Sequence, residues 1–325
     1  LFSKDMRWLI KCPEGKKGTY TIPEGVTEIG PGAFHGCSGL TSITIPEGVT
    51  VIGYEAFEGC SGLTSITIPE GVTVIGGGAF YDCTGLTSIT IPESVRSIGD
   101  SAFKACSGLT SVTIPEGVTE IGKSAFNGCS GLTSITIPET VTEIGNHAFE
   151  GCSGLTSITI PEGVTEIGGC AFQGCEKLTS VEFNAICTQS YYDDDNYVHI
   201  YIIPAVFSGC SNLTSLTIGD KVKRIPAYAF YRCSGLTSIT IPESVTEIGN
   251  FAFDSCSGLT SITIPESVTK IGNFAFRGCK NLTSITLPKN LLTQIGDKVF
   301  SDCNSLTITK AKKSSEPQPD YDLPF

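Results

Sequence analysis

Cysteine is the residue whose number and spacing most invite a chemical interpretation, since 15 thiols could form disulfides, bind a metal or carry redox chemistry. Most of them are 23 residues apart, at positions 37, 60, 83, 106, 129, 152 and 175, then 210, 233, 256 and 279, with 303 after a step of 24. Cys12, Cys170 and Cys187 lie outside this series. A fixed period indicates an internal repeat, so the spacing needs a structural explanation before a chemical one.

Stacking of repeats argues against disulfides at the periodic positions. Equivalent atoms of stacked repeats lie about 4.8 Å apart, the separation of paired strands. Parallel Cβ vectors stay about that far apart, beyond the roughly 3.5 to 4.5 Å that a disulfide requires. A straight row of thiols also does not converge on a tetrahedral ion. We therefore predict free thiols that act as small buried side chains, with metal binding and redox chemistry as the alternatives.

The other reactive residue types show no catalytic arrangement. The three histidines, His35, His147 and His199, are scattered, and their spacing identifies neither a nucleophile nor a carboxylate partner. Glycine runs such as 76–78 precede Ala-Phe instead of opening a helix after a strand, so they indicate turns. The sequence predicts no catalytic residue, no metal site and no cofactor, and the protein is not expected to be an enzyme.

The elements that position these residues can be followed in one repeat, which starts at Leu132 and reads LTSITIPETVTEIGNHAFEGCSG. Its Ile-Thr-Ile stretch alternates apolar and polar side chains, which is typical of a strand with one buried face, and the following proline ends that strand. Residues 141–144 form a second short extended piece, and Gly145 reverses the chain. Residues 148–152 suit a single helical or 3₁₀ turn.

A 23-residue coil is too small to bury its own apolar residues, so about twelve coils must stack as one solenoid whose neighbours cover each other. The phenylalanines of this stack would form a continuous aromatic spine, at positions 34, 57, 80, 103, 126, 149, 172, 207, 230, 253, 276 and 300. We expect residues 1–310 to form a single domain. Within it, 1–22 would be an N-terminal capping coil and 184–203 an insertion, and 311–325 would be a disordered tail.

The pattern Leu-x-x-Ile-x-Ile-Pro-x-x-Val-x-x-Ile-Gly-x-x-Ala-Phe-x-x-Cys recurs over residues 20–308. It resembles the leucine-rich-repeat subtype of BspA-like surface proteins from anaerobic bacteria and some protozoan parasites. The resemblance implies a β-rich, curved, right-handed leucine-rich-repeat solenoid with a parallel β-strand ladder and short helical or 3₁₀ turns. It also implies a secreted or cell-surface protein that adheres to host or neighbouring-cell proteins. It supplies no catalytic residues.

The outward side chains of the first strand repeat as Ser-x-Thr, a pattern that includes Ser134, Thr136, Ser157 and Thr159. They would cover the concave sheet with small hydroxyl groups. The simplest interpretation is a solvent face made of good strand formers. A surface that binds protein strands or glycans is the functional alternative. Ice binding is a third, which curvature and the use of serine disfavour.

One insertion breaks the repeat, because Cys175 and Cys210 are 35 residues apart. Its aromatic and acidic residues are Tyr191, Tyr192, Asp193, Asp194, Asp195 and Tyr197. Long departures from a regular scaffold are often functional loops, and tyrosine suits protein recognition. A plain surface excursion, a partner-contact loop and a calcium site remain open, although the run lacks the spacing, glycine and distal glutamate of an EF-hand loop.

Three aromatic residues, Tyr228, Phe251 and Phe274, stand two residues before the spine phenylalanine, where Gly, Ser or His is usual. Side chains at this position would stack across three coils. Such a stack is either local packing or an exposed contact patch.

The net charge of −12 argues against nucleic-acid binding, which needs clustered Lys and Arg. Much of the charge comes from glutamates that follow the strand-ending proline, at positions 24, 47, 70, 93, 116, 139, 162, 243 and 266. No apolar run is long enough to span a membrane.

These observations predict a monomeric adhesion or binding scaffold that recognises an extracellular or host protein. A carbohydrate-binding module that uses the Ser/Thr face and a structural spacer that displays another domain are the alternatives.

Overall fold

A computed structural model gives the fold and describes residues 1–186, 205–288, 291 and 295–310. Parallel β-ladders stack as a solenoid of about 12 turns, in agreement with the predicted leucine-rich-repeat array. Each regular coil contributes one short strand to each of two ladders. Paired residues of neighbouring strands are one repeat apart in the sequence, as in the pairing of Val112 with Ile135. No α-helix occurs in the described part of the chain, and no helix there is long and apolar enough to span a membrane.

The first ladder carries the Ser-x-Thr strands. Numbered along the chain, its strands are β2 (Gly18–Thr21), β4 (Leu40–Thr44), β6 (Ser65–Thr67), β8 (Ser88–Thr90), β10 (Ser111–Thr113), β12 (Ser134–Thr136), β14 (Ser157–Ile160), β16 (Ser180–Phe183), β17 (Ser215–Ile218), β19 (Ser238–Thr240), β21 (Ser261–Thr263), β23 (Ser284–Leu287) and β24 (Thr307–Lys310). They form three sheets. The first contains the six even-numbered strands from β2 to β12, the second contains β14, β16 and β17, and the third contains β19, β21, β23 and β24.

The second ladder is made of two-residue strands on another side of each coil. They are β1 (Trp8–Leu9), β3 (Glu28–Ile29), β5 (Val51–Ile52), β7 (Val74–Ile75), β9 (Ser97–Ile98), β11 (Glu120–Ile121), β13 (Glu143–Ile144), β15 (Glu166–Ile167), β18 (Arg224–Ile225), β20 (Glu247–Ile248) and β22 (Lys270–Ile271). The eight odd-numbered strands from β1 to β15 form one sheet, and β18, β20 and β22 form another.

The segment predicted as a helical or 3₁₀ turn is a run of turns. The Cys152 N–H donates to the Phe149 carbonyl three residues earlier, as in a 3₁₀ turn, but the Phe149 N–H donates to Ala171 in the next coil at 2.7 Å. His147 has a φ of 59°, which a helix does not allow. In residues 147–152, half of the backbone N–H groups therefore donate to carbonyls of the next coil. The segment forms a third line of hydrogen bonds between coils, beside the two ladders.

The predicted phenylalanine spine is present. Eleven successive ring pairs from Phe34 to Phe300 stack with centroids 4.9 to 5.9 Å apart and interplanar angles of 16° or less. Tyr20 closes the first end of the spine edge-on against Phe34, with centroids 5.6 Å apart. Offset stacking adds about 0.5 to 1.5 kcal/mol per aromatic pair beyond burial, so the spine couples each coil to the next.

The first ladder and the spine continue across the insertion. Strand β16 pairs with β17, and Phe172 stacks on Phe207 at 5.0 Å. Residues 184–186 of the predicted insertion are described, while 187–203 and the predicted tail 311–325 lie outside the described residues. The single-domain boundaries proposed from the sequence therefore stay a prediction.

Candidate functional site

The position two residues before eleven of the twelve spine phenylalanines adopts a left-handed backbone conformation. Gly32 and Gly78 occupy it with φ of 58° and 62°, and Ser124 with φ of 55°. Tyr228, Phe251 and Phe274 occupy it with φ of 55°, 56° and 58°. Each non-glycine residue in this region costs about 1 to 2 kcal/mol, and bulky residues rarely adopt it. The scaffold thus keeps three large aromatic side chains where glycine would be less strained.

The three rings form one stack, which we call the aromatic row. The ring centroids of Tyr228 and Phe251 are 4.5 Å apart, and those of Phe251 and Phe274 are 4.8 Å apart. Tyr231 meets Tyr228 edge-on at 5.9 Å. All three members are half-buried, and partial burial together with the nearby Asp254 carboxylate raises the pKa of Tyr228. The outer ring edges remain available for contact.

Cationic side chains border the aromatic row. The Arg277 guanidinium lies 5.3 Å from the centroid of Phe251 and 5.1 Å from that of Phe274. The Lys298 ammonium lies 5.9 Å from the centroid of Phe274, and Arg232 lies 5.0 Å from that of Tyr231. Each such cation–π contact contributes about 0.5 to 1 kcal/mol at an exposed site. The patch therefore combines apolar edges with positive charge, although the whole chain is acidic.

A buried carboxylate holds Arg277 over the rings. Asp254 is fully buried, and its Oδ2 accepts a hydrogen bond from the Arg277 guanidinium at 2.5 Å. Its Oδ1 accepts a hydrogen bond from the Ser255 hydroxyl at 2.8 Å. The hydrogen bond to Asp254 raises the pKa of Arg277, which keeps its charge. Asp254 therefore fixes the position of the guanidinium from below the surface.

Sequence reasoning found Tyr228, Phe251 and Phe274, and the structure brings them together. It missed Asp254, Arg277, Arg232 and Lys298. A signal for one pair was available, because Asp254 and Arg277 are one 23-residue period apart and each lies one residue after a spine phenylalanine. Equivalent positions in neighbouring coils are adjacent, so opposite charges at that spacing could have been predicted to pair.

The hydroxyl groups of the first ladder lie at the surface as predicted. Ser134, Thr136, Ser157 and Thr159 are exposed, while the isoleucines between them are buried. The first pair lies on β12 and the second on β14, in consecutive coils whose strands belong to different sheets. The Thr159 hydroxyl donates to Glu182 at 3.3 Å, which gives this part of the face a negative charge.

A shallow depression of about 360 Å³ lies on the same hydroxyl face further along the chain. Ser238 and Thr240 of β19 line one side, and Ser261 and Thr263 of β21 line the other. Glu243 is also among the lining residues. Hydroxyl groups beside a carboxylate are suitable hydrogen-bond partners for a polyhydroxylated ligand.

The remaining predicted site residues belong to the insertion. Tyr191, Tyr192, Asp193, Asp194, Asp195 and Tyr197 lie outside the described residues.

The periodic cysteines are core thiols. Cys12 and the twelve described cysteines of the series are free thiols, and those from Cys37 to Cys279 in the series are fully buried. Burial raises the pKa of Cys60 and of Cys210 to about 12, and it raises the pKa of Cys129 as well. A thiol that stays protonated is a poor nucleophile and a poor metal ligand.

Sequence reasoning identified no carboxylate partner for the histidines from their spacing, but the structure places a glutamate beside His35 and another beside His147. His35 Nδ1 lies 3.4 Å from Glu58 Oε2, and His147 Nδ1 lies 2.9 Å from Glu150 Oε2. Glu55 completes a group of three around His35, in which one potential ligand atom from each residue lies within 4.8 Å of the others. Partial burial, followed by repulsion from Glu55, raises the pKa of Glu58. Spacing contained this signal too, because His35 and Glu58 are one period apart.

Comparison with known proteins identifies the repeat. The family model for the BspA type leucine rich repeat region matches six copies over residues 16–133, 119–193 and 200–318. A leucine-rich repeat protein from Bacteroides ovatus is 33% identical, covers 90% of this chain and 77% of its own, and superposes with a TM-score of 0.67. The T. pallidum leucine-rich repeat protein is 35% identical over 55% of this chain and 86% of its own, with a TM-score of 0.51. No curated protein sequence gave a match.

Proposed function

The chain belongs to the BspA-type leucine-rich-repeat family, and from this premise we propose that it is a non-enzymatic binding scaffold, secreted or held at the cell surface, for a protein of a host or neighbouring cell. Repeat solenoids bind partners through side chains displayed on a regular frame. The observation that carries the proposal is the aromatic row of Tyr228, Phe251 and Phe274 with its bordering cations.

Strain supports a functional origin for the aromatic row. The same backbone position accepts glycine or serine in other coils, as at Gly78 and Ser124. Three consecutive coils instead carry large rings in a left-handed conformation, and strained residues tend to persist at functional sites. Aromatic residues and arginine also contribute most of the binding energy in protein interfaces.

The chemistry of the patch indicates what its partner presents. Ring edges favour apolar or aromatic side chains, while Lys298 and Arg232 favour carboxylates. We therefore propose a partner segment in which apolar side chains alternate with Asp or Glu. Positive charge on an otherwise acidic chain would orient such a segment toward this patch.

The test is binding of the purified chain to arrayed extracellular-matrix proteins and host-cell surface proteins, followed by affinity measurements on each hit. The triple variant Y228S/F251S/F274S uses a residue that the scaffold accepts at this position, so the fold should persist and affinity should fall at least tenfold. Tyr81→Ser is the matched control, because it removes an aromatic ring that pairs with Lys104 at 5.8 Å elsewhere on the solenoid. Equal affinity of the folded triple variant and the parent would overturn the aromatic row as the binding site.

A second candidate function rests on the hydroxyl face. The depression between β19 and β21 and the exposed row through Ser134, Thr136, Ser157 and Thr159 support carbohydrate binding. Glycan-array hits that are lost in S238A/T240A/S261A would favour this function. An absence of binding on both the glycan and the protein arrays would favour a structural spacer that displays another domain.

The insertion remains a third proposed contact region. A deletion of 187–199 tests whether Tyr191, Tyr192, Asp193, Asp194, Asp195 and Tyr197 take part. Unchanged partner binding and unchanged calcium affinity in that variant would remove both functional interpretations of the loop.

A further inference from the structure

Three potential metal ligands meet on the turn side of the first two regular coils. His35 follows the spine residue Phe34, and Glu58 follows Phe57, so the repeat places them side by side in one row. Glu55 stands two residues before Phe57, at the left-handed position with a φ of 52°. The Gly36 N–H donates to the Glu58 carbonyl at 2.8 Å, and the Glu58 N–H to the Glu55 carbonyl at 3.1 Å. The three side chains therefore start from hydrogen-bonded backbone.

The distance between His35 and Glu58 suits a shared ion better than a direct hydrogen bond. Two ligand atoms about 2.0 to 2.1 Å from a tetrahedral ion lie about 3.3 Å apart. His35 Nδ1 and Glu58 Oε2 are 3.4 Å apart, beyond the range of a good N–H to O hydrogen bond. The second pair differs, since His147 Nδ1 and Glu150 Oε2 are 2.9 Å apart and hydrogen-bonded.

Neighbouring residues also differ between the two pairs. At the second pair, the Asn127 amide donates to Glu150 at 2.8 Å, so a neutral donor satisfies the carboxylate. At the first pair the additional group is the carboxylate of Glu55, which brings a second negative charge. Like charges at this separation repel, and a cation between them removes the repulsion.

Glycines leave space around Glu55. The residues that occupy its position in the adjacent coils are Gly32 and Gly78. A Cβ added to Gly78 would lie 3.0 Å from Glu55 Cγ, so a larger residue there would crowd the carboxylate.

We propose that His35, Glu55 and Glu58 bind a divalent transition-metal ion, with Zn²⁺ as the reference ion. One imidazole nitrogen and two carboxylate oxygens are ligands that zinc accepts, and three protein ligands leave a fourth position for water or for a donor from a partner. The side chains of His35 and Glu58 are 49% and 20% exposed, so solvent and a partner can reach that position. The ion joins the first coil to the second near the N-terminal end of the solenoid.

Histidine NMR tests the site directly, because the chain has only three histidines. Zn²⁺ is titrated into the full chain while the imidazole ¹H and ¹⁵N resonances are recorded, with assignment from His35→Ala, His147→Ala and His199→Ala. Coordination through Nδ1 should shift the His35 nitrogen resonances and fix one tautomer. Because the readout is the imidazole, zinc held by thiols elsewhere does not imitate it.

The variants Glu58→Gln and Glu55→Gln should each lower the zinc affinity reported by His35 at least tenfold. Each keeps the size of the side chain and removes the charge. The matched control is Glu150→Gln, which changes the second His–Glu pair and should leave the His35 response unchanged. An unmoved His35 resonance at millimolar Zn²⁺, a shift that both glutamine variants retain, or an equal shift of His147 would each overturn the proposal.

Discussion

The thiol of Cys60 donates a hydrogen bond to the carbonyl oxygen of Phe34, one coil earlier, at 3.2 Å. The same carbonyl accepts the backbone N–H of Cys37 at 3.0 Å, so both of its lone pairs are used. This arrangement recurs along the solenoid with sulfur–oxygen distances of 3.0 to 3.4 Å. Cysteine therefore supplies a small apolar volume and a donor that links successive coils.

We predict that the buried thiols do not react under native conditions. In a Cys187→Ser background at pH 8, a thiol-specific chromogenic reagent should modify at most the two half-buried cysteines, Cys170 and Cys303, within minutes. All fourteen remaining thiols should react in denaturant. The reason is that the reagent needs a thiolate, whereas burial holds the pKa of residues such as Cys60 near 12. Rapid native modification of more than two thiols would contradict the core assignment.

We predict that alkaline pH destabilises the fold. An unfolded cysteine ionises near its ordinary pKa of 9.0, whereas folded Cys60 keeps its proton to about 12. The folded state thus holds more protons between these values, and the free energy of unfolding falls as pH rises through that window. Each such thiol contributes up to about 1.4 kcal/mol per pH unit.

Urea denaturation at pH 7, 8, 9 and 10 checks this slope. The midpoint should change little between pH 7 and 8 and fall steeply above pH 9. The control is Cys129→Ala, which should lose about 1 kcal/mol at pH 7 and show a smaller fall above pH 9, because one ionising thiol is gone. A midpoint that stays constant to pH 10 would disprove the linkage.

We predict that Gly145→Ala destabilises the fold, because neighbouring coils approach closely at the residue that follows β13. A Cβ on Gly145 would lie 2.7 Å from the backbone nitrogen of Lys123 in the preceding coil. The coils must separate locally to admit it, which should lower the free energy of unfolding by about 2 to 3 kcal/mol. Thermal or urea unfolding measures the loss. Gly15→Ala is the control, since a Cβ there meets nothing within 4 Å, and a similar loss in both variants would argue against the close approach.

We predict that Asp254 and Arg277 are energetically coupled. Asp254→Asn removes the charge that holds the guanidinium over Phe251 and Phe274. The loss should be about 2 kcal/mol, less than for a wholly buried pair, because the Arg277 side chain is 37% exposed and solvent screens it. A double-mutant cycle with Arg277→Gln measures the coupling, and additive losses would show that the two side chains act independently.

The predictability of the fold came from repetition. Because every coil has the same pattern, one interpretation of residues 132–154 could be checked about twelve times, and the phenylalanine spine follows from it.

The predicted helical or 3₁₀ turn at residues 148–152 was the exception. A local i to i−3 pattern was correct for Cys152, but the competing bond from Phe149 to Ala171 belongs to the stack and leaves no local signal.

The functional surfaces were less predictable for a related reason. The aromatic row was visible because Tyr228, Phe251 and Phe274 depart from the usual small residue. Asp254 and Arg277 stand one residue after a spine phenylalanine, where polar residues such as Glu58 and Glu150 are common. Their type therefore gives no signal, and their burial and pairing depend on which way each side chain turns from the coil. Glu182, which lies among the hydroxyl groups next to Thr159, is similarly placed by strand register.

The sequence by itself determined the period, the two extended segments of each coil, the inward phenylalanines and cysteines, and the outward hydroxyl groups, because alternation and spacing depend only on the order of residues. Only the tertiary structure decided which surface side chains meet. His35 and Glu58 are one period apart and His147 and Glu150 three residues apart, yet the first two are separated by 3.4 Å and the second two by 2.9 Å. The first pair has Glu55 beside it and the second has Asn127, and only the stacking of coils places those neighbours there.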